Sequence, residues 1–368
     1  MPTQLDTIVH LVPSFGCGGL ERVVVNLIKH SDAYAVEHIV IAIENDLTMK
    51  SELPEHVKVY CLEKLPGLNF SAHGRLYRLL KEINPKAFHT YNFGAIEYHA
   101  VAFLAGVPIR VHADHGLGGD DPSGRSFKHN IFRRGISTLI HHYVVVSDDL
   151  KNWVIDTVKV NPARVGVVWN GIAVPECSPN KRKSYSEAEP FLFLTVGRLA
   201  EVKNQQGLIE AFTLAKQKDP HFDAELHLVG DGPLMPELQA QREASLAKSA
   251  IFLHGLQFDI AQRLATADAF VLSSHYEAMP MTVLEAMAAT RPVICPKVGG
   301  VADFIRPEEA LLLESNSVML LSEAMLTLYH MSYEERDELA NAGHLAVQTR
   351  YDMSRMVDSY MERYRISA

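Results

Sequence analysis

The chain has 368 residues, 47% of them apolar and 21% charged, with a formal net charge of −9. That length suits two domains that each bury their own core, and the composition excludes a small stapled scaffold. The acidic balance, with no basic stripe, argues against a nucleic-acid partner.

No apolar run approaches the ~18 residues that span a bilayer, and the opening Met-Pro-Thr-Gln-Leu-Asp has no signal-peptide pattern. Four cysteines, at 17, 61, 177 and 295, are scattered without Cys-x-x-Cys spacing, so the expectation is a cytoplasmic protein with reduced thiols and no structural zinc. Residues 1–173 hold 17 Lys+Arg against 17 Asp+Glu, while the rest holds 18 against 27 and so carries the whole net charge. An anionic ligand must therefore be held locally.

In chain order, Thr7–Val12, Ile39–Ile43 and Arg110–Ala113 read as strands, with Leu20–Lys29 and Gly74–Glu82 among the intervening helices. Tyr143–Val146 continues the series, followed by Ser147 as an N-cap with Asp148 and Asp149 in the first helical turn. Arg164–Trp169 is a further strand, ending at Asn170-Gly171. Such alternation implies a parallel sheet covered on both faces. Residues 174–190 are rich in Pro, Ser and charge without periodicity and read as an interdomain linker. A second alternation follows, with strands at Phe191–Val196, Glu225–Val229, Ile251–Leu253, Ala269–Leu272 and Pro292–Cys295. The fold class is α/β, with two Rossmann-like doubly wound domains at 1–173 and 191–350. Ligands are then expected off the carboxyl ends of the strands, in the cleft between the two sheets.

The loops after the strands carry the chemistry. The first reads Gly16-Cys-Gly18-Gly19-Leu-Glu21-Arg22. Glutamate stands where a dinucleotide fingerprint needs its third glycine, which removes support for hydride chemistry. Gly18 and Gly19 still suit a phosphate or sugar cradle at a helix N-terminus, a plain tight turn being the alternative. Cys17 lies in this loop, as a reactive thiol or as a small tolerated residue. After residue 196, Gly197-Arg198 and Lys203 place a forked guanidinium and a flexible ammonium five residues apart, suited to a departing diphosphate unless both are simply solvated. Gly230-Asp-Gly232-Pro233 and Gly255-Leu256 are sharp turns through which backbone can approach a base or ribose. Glu277 and Glu285 are separated by Pro280, which puts Glu277 in a loop and Glu285 about one turn into a helix. Carboxylates there can hold polyol hydroxyls beside amides that favour an anion; the plainer alternative is a dipole partner and a solvated helix residue.

Gly-Arg-Leu with Lys203, Gly-Asp-Gly-Pro, the Phe252-Leu-His-Gly255 turn, Glu277 to Glu285 and Pro292 to Gly300 occur in one order over nearly the whole chain. Together they resemble the retaining glycosyltransferases of family four, whose fold is the two-domain GT-B type. Over Arg110–Gly116 and Tyr143–Gly171 the likeness is to sugar transferases of bacterial exopolysaccharide and lipopolysaccharide assembly. The resemblance implies that Arg198 and Lys203 neutralise the donor diphosphate and that Glu285 binds the ribose hydroxyls. Glu277, with the backbone of Ala278, Met279 and Pro280, would contact the donor sugar. Gly230, Gly232 and Leu256 complete the donor set, and Gly18 and Gly19 would face it from the first domain. His115 matches the family histidine that contacts the transferred sugar, but His112, three residues earlier at the end of the same strand, is close enough in sequence that the two remain alternatives. The pair alone makes an incomplete zinc site, and no Asp-x-Asp is present. No cofactor or metal is expected, the cationic pair standing in its place. Ala278 departs from a common family glycine, and Asp303 from a glutamate that commonly follows the Gly299-Gly300 pair, which leaves the donor sugar open.

The implied reaction moves a sugar, with retention, from a nucleotide-diphosphate sugar, UDP by expectation, to a glycan or lipid-linked saccharide acceptor. A helix at 351–368 resembles the family's terminal helix that crosses back to the first domain. Arg125 to Arg134 mixes four cations with Phe127, Ile131 and Phe132, a pattern that suits the cytoplasmic face of an anionic inner membrane as well as an ordinary basic surface helix. The rival readings are a nucleotide-sugar epimerase or hydrolase, and a catalytically idle sugar-nucleotide-binding subunit.

Overall fold

The computed structural model describes residues 5–64, 70–118, 121, 123–174 and 189–366. The chain divides into two compact units, one made of Met1–Gly171 with Met353–Ala368 and the other of Ile172–Asp352. Most of the segment read as a linker, 175–188, lies outside the described residues.

The first unit is built on seven strands: β1 (Asp6–Val12), β2 (Val36–Ala42), β3 (Lys58–Cys61), β4 (Ala87–Tyr91), β5 (Ile109–Asp114), β6 (His142–Val145) and β7 (Val165–Val167). They are ordered β3-β2-β1-β4-β5-β6-β7, and all the pairings are parallel. β1 and β4 are central, so their apolar side chains are buried from Ile8 to Val12 and at Ala87, Phe88 and Tyr91. The second unit has β8 (Phe191–Val196), β9 (Ala224–Val229), β10 (Ile251–Leu253), β11 (Ala269–Val271), β12 (Val293–Pro296) and β13 (Leu311–Leu313). Its order is β10-β9-β8-β11-β12-β13, again in parallel. Phe191, Phe193, Leu226, Leu228, Phe212 and Phe222 are among the side chains that fill its core.

Several boundaries differ from the sequence reading. β2 begins three residues earlier than expected because Asp6↔Val36 opens its register with β1, drawing Glu37 and His38 into the strand. The strand expected over 164–169 shortens to Val165–Val167, since Pro162–Arg164 forms a 3-10 turn capped by Asn161. Ser147 does cap its helix, accepting from the Leu150 amide. β3, β4 and β13 have no counterpart in the expected strands.

The helix Met353–Tyr364 belongs to the first unit and buries Met353, Met356, Val357, Tyr360, Met361 and Tyr364. Tyr364 ends a buried hydrogen-bond chain whose direction follows from its far end. Ser31 Oγ donates to the Ile28 carbonyl, so it must accept from His38 Nε2, 2.8 Å away. His38 Nδ1 then accepts from His10 Nε2 at 2.9 Å, and His10 Nδ1 accepts from the Tyr91 hydroxyl at 2.9 Å. The Tyr91 hydroxyl is also hydrogen-bonded to that of Tyr364, whose oxygen lies 2.6 Å from His89 Nδ1. The chain requires neutral histidines. Burial lowers His10 and His89 well below the usual histidine value and His38 to about 4.

A chain ending at Arg350 would uncover this helix's site and break the hydrogen-bond chain at Tyr91. Each large side chain it removes contributes roughly 1.5–3 kcal/mol of burial, so thermal denaturation should show a clear loss of stability. Unchanged melting and activity would refute the assignment.

Candidate active site

In each sheet the strand order reverses at one point, and loops leaving the two strands there diverge to open a crevice. In the second unit that point lies between β8 and β11, so the loops are 197–204 and 272–280. They are laced to their neighbours through the backbone. Gly197 and Leu199 donate to the Val229 and Asp231 carbonyls at 2.9 Å, Gly230 to Gly255 at 2.9 Å, His275 to Val202 at 2.8 Å, and Gly300 to Glu277 at 2.9 Å. Gly230, at φ +141°, brings its Cα so close to β8 that a Cβ would sit 1.9 Å from the Gly197 carbonyl oxygen. Gly299, at φ +52°, has the same need, with the Glu277 carbonyl 2.3 Å from an added Cβ.

This lacing brings Lys203 and Glu277 together. Lys203 Nζ lies 2.5 Å from Glu277 Oε1, which also accepts from Ser274 Oγ at 2.7 Å. Glu277 is 8% exposed, so a buried carboxylate is matched by an ammonium with two donors to spare. Arg198 is exposed, with no side-chain partner among the described residues. With Glu201 exposed in the same loop, two cations and two carboxylates leave this loop pair without net charge, Arg198 and the uncommitted donors of Lys203 being its positive groups. Beside it, the helix Met281–Ala288 starts at Pro280 with no side-chain cap on its first amides. Glu285 is half-buried within that helix, while Ala278 and Met279 are buried before it. Gly232 packs under the Leu199 carbonyl, and Leu256 is exposed after Gly255, which adopts φ +68°.

In the first unit the reversal lies between β1 and β4. His112 is fully buried on β5, with Nδ1 accepting from Thr90 Oγ1 at 2.7 Å and Nε2 reaching Asp114 Oδ1 at 3.3 Å. Both of its nitrogens are occupied by protein. His115, just past the strand, is anchored by its amide to Asn92 Oδ1 at 2.8 Å, and its buried Nε2 has no protein partner among the described residues. Burial lowers the His115 imidazole to about 4 despite the Asp114 charge, so it stands neutral at pH 7. Asp114 itself, although buried, is held at about 2 by Arg133 and His112, with hydrogen bonds from His112 and Tyr143. Arg133 is enclosed between Phe93 and Trp153, 4.5 and 4.9 Å from their rings. It therefore leaves the set of four surface cations read from 125–134.

The Gly-rich loop is also modified by its surroundings. Gly18 is the N-cap of Gly19–Lys29, and the Glu21 carboxylate folds back over it, 2.4 Å from where a Cβ would lie. A carboxylate covers part of the cradle expected for an anion. Burial, reinforced by the charge of Asp46, raises Glu21 to about 7. The Cys17 thiol is held above its ordinary value by burial and by Glu21, Asp46 and Glu52 against the pull of Arg22, the opposite of an activated thiolate. Sequence reading missed Ser274, Asn92 and the placement of Glu21. Asn92 sits at φ +56°, a conformation asparagine tolerates, but nothing in its local sequence marks it.

With the site built, comparison with known proteins is informative. Residues 17–174 match the family described as Glycosyltransferase Family 4, and residues 178–345 match Glycosyl transferases group 1. The chain belongs to the family-four glycosyltransferases. It is 29% identical over 258 residues to an Escherichia coli UDP-Gal:alpha-D-GlcNAc-diphosphoundecaprenol alpha-1,3-galactosyltransferase, the match spanning 66% of each chain. It is 27% identical over 311 residues to the putative glycosyltransferase EpsF of Bacillus subtilis, spanning 80% of each. Anabaena HepE, solved with UDP and glucose, superposes with a TM-score of 0.82 at 18% identity, covering 97% of this chain and 98% of that one. The two parallel sheets of this family-four chain thus have the GT-B fold.

Glu21 gives this glycosyltransferase a pH signature. Its folded-state value, about 7, exceeds its ordinary 4.5, so it favours the folded state at low pH, a contribution lost as pH rises through that window. The buried histidines act oppositely, costing stability as pH falls below their ordinary 6.5. Glu21→Gln should therefore raise the melting temperature at pH 8 and change it little at pH 5. An equal shift at both would show that Glu21 is not titrating in the fold.

Proposed function

We propose that this chain transfers a sugar from UDP-sugar to a hydroxyl of a glycan or lipid-linked saccharide in bacterial surface polysaccharide synthesis, with retention at the anomeric carbon and without a metal. The observation that carries the reading is the Lys203–Glu277 pair beside Arg198 and the uncapped helix start, all at the switch point of the second sheet. The leaving group is a diphosphate, and the cations and helix amides meet its developing charge. Glu277 and Glu285 are hydroxyl acceptors for sugar and ribose. His115, whose imidazole is neutral with Nε2 unspent, is the histidine we assign to sugar binding.

In the proposed step, the acceptor oxygen bonds to the anomeric carbon as the bond to the diphosphate oxygen breaks. The acceptor proton passes to a phosphate oxygen on the same face. Protein groups supply orientation and electrostatic stabilisation rather than a nucleophile. The donor named for the Escherichia coli relative, UDP-Gal, and the UDP and glucose bound to HepE support UDP-sugar as the donor class. The diphosphoundecaprenol in that relative's name supports a lipid-linked acceptor.

The test is product analysis with a panel of UDP-sugars, with and without acceptor. Acceptor-dependent transfer supports the proposal, and sugar release or interconversion without acceptor favours a hydrolase or epimerase. Arg198→Ala and Lys203→Ala should each slow transfer roughly 10- to 150-fold, the equivalent of one charge-assisted hydrogen bond. Full turnover in both folded variants would sink the assignment.

A lipid-linked acceptor places the enzyme at a membrane, and we extend the proposal to the cytoplasmic face. No helix among the described residues is long and apolar enough to cross a bilayer. The helix Phe127–Ser137 exposes Phe127 (76%) and Ile131 (55%), one turn apart, and Lys128 and Arg134 are exposed on it with Arg125 just before it. Apolar anchors flanked by cations fit an anionic lipid surface. Co-sedimentation with anionic vesicles should be salt-sensitive and should weaken in Phe127→Ser/Ile131→Ser. Absence of binding to vesicles at low salt would refute this part.

A further inference from the structure

Glu277 can grip a ligand only if the loop from β11 holds it at a fixed depth, and one side chain far along the sequence does much of that holding. Asn316 follows the edge strand β13 and belongs to none of the motifs above. Its amide Nδ2 points at the carbonyls of Ser273 and Ser274, 3.3 and 3.1 Å away, and at His275 Nδ1, 2.7 Å away. Asn204, beside Lys203, reaches the same Ser273 carbonyl at 3.1 Å. The Ser273 hydroxyl closes the circuit by donating to the Lys203 carbonyl at 2.8 Å. Two side-chain amides from different loops thus converge on one carbonyl, with the Lys203 loop on one side and the Glu277 loop on the other. Ser273 and Ser274 are 2% and 1% exposed, so neither carbonyl has water as an alternative partner of equal ease.

We infer that Asn316 is a positioning residue for the donor-sugar carboxylate: by clamping the carbonyls of 273 and 274 it fixes the depth of the Ser274–Glu277–Lys203 cluster. This rests on the reading of Glu277 and Lys203 as donor contacts. A buried carbonyl that loses its donor is costly, and the loop's way of recovering is to turn toward water, carrying Glu277 with it. The base end of the donor is assigned to other loops, those of Gly230–Gly232 and Leu256, so the nucleotide should feel the change less than the sugar.

The experiment compares the full-length parent with Asn316→Ala and with Asn316→Asp, which keeps the shape but has no N–H to give. UDP and UDP-sugar are titrated separately, followed by steady-state transfer and by hydrogen exchange over 273–280 and at Gly300. Both variants should lose clearly less affinity for UDP than for UDP-sugar. Affinity for UDP-sugar should fall about tenfold, since one lost hydrogen-bond equivalent is about one decade. kcat should fall roughly 10- to 100-fold through misplacement. Exchange should speed up at the His275 and Gly300 amides, whose acceptors Val202 and Glu277 belong to the clamped cluster. Unchanged exchange and unchanged UDP-sugar affinity would overturn the inference. So would parallel loss of UDP affinity and global melting temperature, which would make Asn316 a merely structural residue. If the parent itself binds no UDP-sugar, the functional reading fails, whereas the exchange result still decides whether Asn316 sets the loop.

Discussion

A strand buried on both faces delivers its chain to the sheet edge with polar backbone groups that must find partners there. In the second unit they find each other: Gly197, Leu199, Gly230, His275 and Gly300 all donate to carbonyls of a neighbouring loop rather than of their own. The consequence is a rim of interlocked loops whose positions are set by the sheet below. That constraint makes a precise site affordable on irregular backbone. It also explains the glycines. Where Gly230 passes Gly197, and Gly299 passes Glu277, a Cβ would fall inside the neighbouring carbonyl, so the close approach that laces the loops is available only without a side chain.

The same sequence was legible in some places and opaque in others for physical reasons. β8 and β10 were readable to the residue, since Phe191–Val196 and Ile251–Leu253 are apolar runs with clear ends. β4 was not, because Ala-Phe-His-Thr-Tyr interrupts its apolar pattern with a histidine and a threonine whose burial depends on partners elsewhere in the chain. Glu277 and Glu285 were visible as loop and helix residues from Pro280 alone. That Glu277 is bonded to Lys203, 74 residues away, was not, since only the fold decides which loops meet. Asn316 lies at the far end of the same problem. Local sequence marks chemistry-bearing residues but seldom those that hold them in place.

The two histidines left open by spacing show what burial adds. His112 and His115 lie only three residues apart, yet the first is enclosed within the strand with both nitrogens satisfied and the second leaves the sheet with one nitrogen unspent. Five of the first unit's twelve histidines, at 10, 38, 89, 99 and 112, are buried on or beside its central strands, hydrogen-bonded to each other, to tyrosine, serine or threonine, or to Asp114. A large share of the histidines in that half is thus structural. It is the one at a strand's carboxyl end that remains for a ligand.

The electrostatics of the donor site follow from how little charge it carries. Arg198 and Lys203 against Glu201 and Glu277 leave no net charge, on a chain whose net charge is −9. Long-range attraction cannot bring a doubly charged nucleotide diphosphate to such a surface, and at physiological salt charges more than about 8 Å apart are largely screened in any case. Capture must be local, shared between two cations and the uncapped amides at the start of Met281–Ala288, whose dipole adds roughly 0.3–1 kcal/mol. A site balanced in this way gains most when charge moves onto the diphosphate, because Lys203 can turn its spare donors to the leaving oxygens while still paired with Glu277. On the proposed reading, the ion pair is less a static brace than a way of keeping an ammonium near the leaving oxygens and a carboxylate near the sugar.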